Sequence, residues 1–243
     1  MCPSRNRIQT YLFTWKIAPR PHCASWCRCA WAGFGRHTLP LFQEWKRGHA
    51  ELIEYSRPTD PIWALRDGGD RCRTHPLFFT HKRAIGPGLE RLPLFTERLV
   101  ASVTSTDSRA RQESVTLADL ADGPVAVCAT APTATGELWS TTARMPRTIS
   151  VANTDEWLTR IAVGDAIGIT AEATTHNHRA PEVVYLPIED APRVTVALTW
   201  PGQRRSHPQV GVFATCAQDY FTRLIDIGSP PRLLSTGADG QLT

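Results

Sequence analysis

The sequence predicts an α/β fold, in which helices and buried strands alternate along the chain. The segment NTDEWLTRIAVGDAIGIT, residues 153–170, is the main basis for this prediction. Asn153 and Glu156 have the spacing of a capping box, in which both side chains accept hydrogen bonds from backbone amides at the start of a helix. An apolar stripe at helical spacing follows, Gly164 ends the helix, and residues 166–170 form a short apolar strand. A capped helix that leads directly into a buried strand is typical of layered α/β proteins.

Length and composition agree with a globular protein of this class. The chain has 243 residues, of which 42% are hydrophobic, which is enough for one or two domains. The sequence has no run of about 18 apolar residues, so we expect no membrane contact. Charges and prolines interrupt the first residues where a signal peptide needs an apolar stretch, so we expect a cytoplasmic protein.

The charge is distributed unevenly. Residues 1–100 carry 16 Lys and Arg against 8 Asp and Glu, within a net charge of +4. These basic residues are scattered, and no helix-turn-helix pattern accompanies them. We therefore do not expect this half of the chain to bind DNA.

The sequence offers no convincing metal or catalytic motif. Seven cysteines, an odd number, in a chain without a secretory signal argue against a disulfide framework. In the segment HCASWCRC, Cys27 and Cys29 are too close together for the usual zinc knuckle. The HNH sequence at residues 176–178 is interpreted as a polar surface loop. Because the G-x-S-x-G, H-E-x-x-H and P-loop patterns are also missing, we expect no enzyme, no catalytic residues, no metal and no cofactor.

The first half of the chain predicts one round of α/β alternation. Its elements are a strand over residues 27–32, a helix over 39–47, a strand over 51–55 and a helix-like segment over 58–67. Thr38 is the expected N-cap of the first helix, and Gly48 its end. A third buried strand should follow, but DRCRTHPLFFTHKR at residues 70–83 has only three consecutive apolar residues. We expect this strand to be replaced.

The second half is more regular. The predicted elements are a strand-like run over residues 89–103, a helix over 116–120, strands over 125–128 and 149–152, the helix and strand of residues 153–170, extended runs over 183–186 and 194–200, and an amphipathic helix over 208–223. Thr116 is the expected cap of its helix. A helical or loop segment surrounds Trp139.

Several blocks resemble a known family when they are taken together. LADLADGPVAV, NTDEWLTRIAVGDAIGIT, VVYLPIEDAPRVTVALTW and SHPQVGVFATCAQDY look like successive blocks of the effector-binding domain of LysR-type transcriptional regulators. AWAGFGRHTLPLFQEWKRGHAELIEY and GLERLPLFTERLVA look like its first strands, first helix and crossover. The resemblance covers about residues 27–225, and the order and spacing of the blocks give it its specificity.

The resemblance implies two Rossmann-like lobes of the type 2 periplasmic-binding-protein fold. It assigns residues 27–97 and 188–225 to lobe I and residues 98–187 to lobe II, and leaves an unpatterned segment at 1–26 and a disordered tail at 226–243. Family members act as dimers or tetramers and bind DNA through an N-terminal winged helix-turn-helix. This chain departs from the family at residues 1–26, where that motif is absent, and in the third strand of lobe I. We therefore expect a truncated or frameshifted form, with DNA contact only through the absent motif.

The resemblance also implies an effector site in the cleft between the lobes. Helices that begin near Thr38, Thr133 and Thr154 would point backbone amides at an anion there. Arg36 could pair with a carboxylate, so a small organic acid is the favoured effector. The predicted ligand-binding residues are Gly35, Arg36, His37 and Thr38 in lobe I and Thr130, Thr133, Asn153 and Thr154 in lobe II.

Two alternatives remain at this point. Thr38, Asn153 and Thr154 are equally explained as helix caps alone, and His37 as a solvated loop residue. A free-standing solute-binding protein of the same fold is the alternative to a regulatory sensor, although the missing signal sequence disfavours it.

Overall fold

The strands that the structure describes form two mixed sheets. The computed structural model describes residues 27–31, 37–49, 53–56, 75–80, 87–129, 132–140, 142–202 and 208–226. Within these residues there are two five-stranded sheets, each with parallel and antiparallel pairs. This arrangement confirms the predicted α/β fold class.

The first sheet has the order β2-β1-β3-β10-β4. Its strands are β1 (Cys27–Trp31), β2 (Ile53–Ser56), β3 (His75–Thr80), β4 (Leu89–Glu97) and β10 (Val194–Pro201). β1 pairs in parallel with β2 and β3, whereas β10 runs antiparallel to β3 and β4. Two helices belong to this half of the fold, α1 (Thr38–Gly48) and α4 (Pro208–Asp226). We call this sheet and these helices the first lobe.

The second sheet has the order β7-β6-β8-β5-β9. Its strands are β5 (Leu99–Thr104), β6 (Val125–Cys128), β7 (Thr148–Val151), β8 (Ile167–Ala171) and β9 (Val183–Pro187). Its helices are α2 (Leu117–Leu120), α3 (Thr154–Ala162) and the 3-10 helices Ser108–Arg111, Gly136–Trp139 and Glu172–His176. We call these elements the second lobe.

Each lobe has its own hydrophobic core. In the first, α1 and α4 pack together and against β4 and β10, and the Phe42 and Phe213 rings stack with centroids 5.6 Å apart. In the second, α3 covers one face of the sheet through Trp157 and Ile161, whereas α2 and Trp139 cover the other. Burial of these apolar side chains supplies the main driving force for folding each lobe.

Several predicted elements are confirmed with small shifts in their ends. Asn153 caps α3, because its Oδ1 accepts a hydrogen bond from the amide of Glu156 over 2.9 Å. Gly164 follows the end of α3 with a φ of +81°, a conformation that suits glycine best. Thr116 caps α2 in a complete capping box with Asp119.

The prediction of a missing third strand is wrong. Residues 75–80 form β3, which pairs with β1 on one side and with β10 on the other. Three consecutive apolar residues, Leu77, Phe78 and Phe79, are sufficient here because neighbouring strands on both sides satisfy the backbone.

Three local predictions need correction. The run over residues 89–103 is two strands of different sheets, which separate at Arg98. The N-cap position of α1 is His37, so Thr38 is the first helical residue rather than the cap. The Glu156 carboxylate accepts from the amide of Ala152 and not from Asn153, so the proposed capping box is only half formed.

The helix-like segment at 58–67, the N-terminal segment 1–26 and the tail from residue 227 onward lie outside the described residues. Within the part of the chain that is described, no helix is both long enough and apolar enough to cross a membrane.

Candidate functional site

The carboxyl ends of the strands in the first lobe lie at the edge where the chain crosses to the second lobe. β1, β2 and β3 are parallel, and β4 shares their direction because β3 and β4 both run antiparallel to β10. β4 ends at Glu97, and the next strand, β5, belongs to the second sheet. The carboxyl ends of β1, β2 and β3 therefore lie at the crossing edge of the first sheet.

The second lobe has the same orientation relative to the crossing. β6, β7 and β8 are parallel, and β5 runs against β8. Because β5 begins at Leu99, immediately after the crossing, the carboxyl ends of β6 to β8 also lie at the crossing edge. Ligands of open α/β sheets bind outside the carboxyl ends of the strands, so the edges of both sheets that adjoin the crossing are the candidate site.

The N-terminus of α1 belongs to this edge of the first lobe. His37 occupies the N-cap position without a side-chain capping hydrogen bond, and the first turn of α1 contains no acidic residue. The ring of His37 stands edge-on to Phe95, with centroids 5.4 Å apart. Thr38 is only 4% exposed. The partial positive charge at this helix end is therefore not neutralised by a carboxylate of the first turn.

The N-terminus of α3 has the opposite electrostatic character. The first turn contains Asp155 and Glu156, and the Asn153 side chain already caps the helix. Thr154 is the first helical residue and is only 8% exposed. Because two carboxylates already compensate the helix end, it is less favourable for an anionic ligand than the N-terminus of α1.

Thr133 has a structural contact that was not predicted. Its hydroxyl donates a hydrogen bond to the carbonyl oxygen of Ile169 in β8. The helix expected to begin near Thr133 is a 3-10 helix of four residues, Gly136–Trp139, which begins later. Thr133 therefore holds its loop against β8, and it has no helix terminus of its own to offer an anion.

Three of the eight predicted ligand-binding residues lie outside the part of the chain that the structure describes. Gly35, Arg36 and Thr130 are not among the described residues. His37 and Thr38 lie at the start of α1, and Asn153 and Thr154 at the start of α3.

The chain crosses between the lobes twice, first between β4 and β5 and again between β9 and β10. Both crossings contain polar contacts that the sequence did not reveal. Glu97 is 7% exposed, and its Oε2 accepts a hydrogen bond from the amide of Ala173 over 3.0 Å. In the second crossing, the Arg193 guanidinium donates to the hydroxyl of Thr96 over 3.1 Å and to its carbonyl over 3.3 Å. The one available signal was a charged pair, Glu97 and Arg98, in the otherwise apolar sequence LFTERLVA.

The HNH segment is ordered by a hydrogen bond. His176 ends the 3-10 helix Glu172–His176, and the Tyr185 hydroxyl donates to the carbonyl oxygen of His178. Burial raises the pKa of Tyr185 to about 12. Among the described residues, no cluster of three His, Cys, Asp or Glu side chains has the geometry to hold a metal ion.

Comparison with known proteins identifies the family of this two-lobed arrangement. The family model of the LysR substrate binding domain matches residues 76–222, which is more than half of the chain. No curated protein matches the sequence.

Solved structures share the fold at low sequence identity. The effector-binding domain of QuiR in complex with shikimate has a TM-score of 0.65 and 20% identity, over 81% of this chain and 96% of that one. The BenM effector-binding domain with its effector benzoate has a TM-score of 0.62 and 18% identity, over 88% and 99%. Full-length CbnR complexed with its target DNA has a TM-score of 0.65 and 16% identity, over 82% and 71%.

These matches agree with the architecture derived above. The neighbours are effector-binding domains of the type 2 periplasmic-binding-protein fold, and the matched family region begins within β3 and ends within α4. The resemblance seen in the sequence is confirmed. This chain belongs to the LysR substrate-binding domain family.

Proposed function

We propose that the chain is a sensor domain that binds a small organic acid between its two lobes. The proposal is supported by its membership of the LysR substrate-binding domain family and by the carboxyl edges of both sheets, which adjoin the crossings. We propose that residues 27–97 and 188–225 form one lobe and residues 98–187 the other, and the separation of the described strands into two sheets supports this division. Its activity is binding rather than catalysis.

The anionic group of the ligand is proposed to bind at the N-terminus of α1. This 11-residue helix has no acidic side chain in its first turn, and Lys46 and Arg47 complement its other end. Backbone amides at such a terminus bind carboxylates without a positively charged side chain. Gly35, Arg36, His37 and Thr38 are the proposed ligand contacts of this lobe, with Arg36 pairing with the carboxylate.

The second lobe is proposed to contact hydrogen-bond donors of the ligand. The Thr133 hydroxyl uses its proton on Ile169, so toward a ligand it can only accept. Asp155 and Glu156 make the start of α3 electronegative. The proposed contacts of this lobe are Thr130, Thr133, Asn153 and Thr154. A hydroxylated carboxylic acid, oriented with its carboxylate toward α1, therefore fits the site better than a dicarboxylic acid.

The ligands of two structural neighbours define a first test panel. QuiR was solved with shikimate, a hydroxylated carboxylate, and BenM with benzoate. We would measure the melting temperature with each acid and with its uncharged methyl ester. Because a ligand that binds only the folded state stabilises it by mass action, at least one acid should raise the melting temperature while its ester does not. An equal response to acid and ester would contradict an anion site, and no response to either acid would contradict this ligand class.

Assembly is also proposed from the family. CbnR was solved at full length on its target DNA, and its structure is similar to 82% of this chain. We propose that this domain acts within a dimer or tetramer. Light scattering of the purified chain would test this directly, because a monomeric mass at all concentrations would contradict it.

A further inference from the structure

Glu97 connects the two lobes through a buried hydrogen bond. It is the last residue of β4, where it pairs with Val194 in the first sheet. Its side chain reaches the amide of Ala173, in the 3-10 helix that follows β8 of the second sheet, over 3.0 Å. Glu97 and Ala173 are 7% and 6% exposed, so water does not readily replace this contact. The bond therefore spans the junction between the lobes.

A backbone hydrogen bond joins the same two segments next to this side-chain contact. The amide of Glu172 donates to the carbonyl oxygen of Arg98 over 3.0 Å, next to the Leu99–Ala171 strand pair. The first two amides of the 3-10 helix are thus bound by two consecutive residues of the crossing. Arg98 lies between the two strands and contacts the second lobe through its carbonyl oxygen, whereas Glu97 pairs with Val194 in the first sheet. A rotation of one lobe against the other must change the bond made by Glu97.

The second crossing, between β9 and β10, contacts the first at Thr96, the residue before Glu97. Arg193 donates to both the hydroxyl and the carbonyl of Thr96, which precedes Glu97 in β4. Before this point, the second crossing is fixed to the second lobe, because Asp190 accepts a hydrogen bond from the amide of Leu117 over 2.8 Å. Arg193 therefore keeps the end of β4 in position, and Glu97 extends from this fixed end to the opposite lobe.

We propose that Glu97 is a hinge strut that fixes the separation of the two lobes and thereby tunes the affinity of the site between them. A buried amide that has lost its hydrogen-bond acceptor is costly, because water does not replace the acceptor there. When the hydrogen bond is lost, conformations with more widely separated lobes become populated. Because a ligand that contacts both lobes binds only the conformation with the correct spacing, its apparent affinity falls by the fraction lost. This last step rests on the proposed function, whereas the strut itself does not.

The test compares two substitutions of Glu97, one that removes the charge of the side chain and one that shortens it. Glu97→Gln removes the charge but keeps an oxygen acceptor at the same distance from Ala173. Glu97→Asp keeps the charge but is one methylene too short to make the bond. Hydrogen exchange of the ligand-free protein is measured for peptides that cover residues 172–176, with the α3 peptide over residues 154–162 as the internal control.

We expect Glu97→Asp to accelerate exchange in residues 172–176 about tenfold while α3 is unaffected, because the hydrogen bond to Ala173 protects this segment and not α3. Glu97→Gln should stay within about twofold of the wild type. Small-angle scattering should give a larger radius of gyration for Glu97→Asp than for Glu97→Gln. Three results would each overturn the strut. In Glu97→Asp, residues 172–176 could exchange as slowly as in the wild type, or the α3 peptide could be accelerated equally. Alternatively, Glu97→Gln could accelerate exchange in residues 172–176 as much as Glu97→Asp does.

A third variant, at Ala173, removes the donor of the hydrogen bond instead of the acceptor. Ala173→Pro has no amide hydrogen, so it should increase the radius of gyration as Glu97→Asp does, even if Glu97→Asp folds poorly. An unchanged radius of gyration in this variant would also overturn the proposal. Titration with benzoate and shikimate then tests the effect of the strut on ligand affinity. Glu97→Asp should bind the acid about tenfold more weakly than Glu97→Gln does. If neither acid binds the wild type, the proposed function fails while the exchange result still decides the strut.

Discussion

Gly168 in β8 lies directly beneath the indole of Trp157 in α3. A Cβ atom at residue 168 would come within 2.1 Å of Cζ2 of Trp157 and within 2.5 Å of Cδ1 of Ile161. The same indole donates from Nε1 to the carbonyl oxygen of Ala126 in β6 over 3.0 Å. One buried side chain thus fixes α3 against two parallel strands of the second sheet. This contact keeps the start of α3 at the carboxyl edge where the site is proposed.

Gly168→Ala should be strongly destabilising, because a methyl group cannot fit beneath a fully packed indole without moving α3. We expect a loss of about 3 kcal/mol in the free energy of unfolding, measured by urea denaturation. Gly211→Ala is the matched control, since this glycine lies in α4 and a Cβ there meets nothing within 4 Å. The control should be stabilising by about 0.5–1 kcal/mol. Equal effects of the two substitutions would contradict the close packing.

We predict that Asn153 stabilises the protein by capping α3. Asn153→Ala removes the acceptor for the Glu156 amide and should lower the free energy of unfolding by about 1 kcal/mol, as measured in urea. Asn153→Ser retains a capping oxygen and should be nearly as stable as the wild type. If alanine is tolerated as well as serine, the capping role is wrong. If serine preserves stability but abolishes an acid's effect on the melting temperature, Asn153 also contacts the ligand.

The ion pair of Asp107 and Arg109 predicts an acid-dependent loss of stability. A side-chain hydrogen bond from Arg109 is the largest influence that lowers the pKa of Asp107 below its ordinary value of 3.8. Because the pKa is lower in the folded state, this pair stabilises the protein fully above that ordinary value and loses its effect as the pH falls through the folded pKa.

Asp107→Asn tests this pH dependence, because asparagine retains an oxygen that can accept from the amide of Arg109 but lacks the charge. The stability difference from the wild type should be larger at about pH 6 than at about pH 3 in urea unfolding. Asp122→Asn is the control, because the Asp122–Arg144 pair is more than 70% exposed on both sides and such pairs contribute little. A difference for Asp107→Asn that is the same at both pH values would contradict the assignment.

The parts of the fold that sequence could predict are those with strong local signals. The Asn153 cap, the stop at Gly164 and the apolar stripe of α3 all depend on neighbouring residues, and each was located correctly. The short strand β3 was missed because its stability depends on β1 and β10, which lie on both sides of it in the sheet but far away in the sequence. Tertiary pairing overrode a weak local pattern.

The candidate site was less accessible to sequence reasoning for the same reason. The opposite charge environments of the α1 and α3 termini follow from local sequence once the helix starts are known, because Asp155 and Glu156 directly follow the Asn153 cap. Contacts between distant segments do not follow in this way. Glu97 was overlooked because residues 89–103 form one strand-like run, and only the sheet pairing divides it. The partner of Glu97, Ala173, is an alanine whose side chain gives no indication of a polar contact.

The central claim is that a small organic carboxylate binds between the lobes at the N-terminus of α1. Calorimetric titration of shikimate and benzoate into the wild type, Thr38→Val and Thr38→Ser tests it most directly, because only serine retains a hydroxyl at the first helical position. We predict one bound acid per chain, with affinity about tenfold weaker in Thr38→Val and close to the wild type in Thr38→Ser. No binding of either acid, or equal affinity in Thr38→Val and the wild type, would contradict the claim.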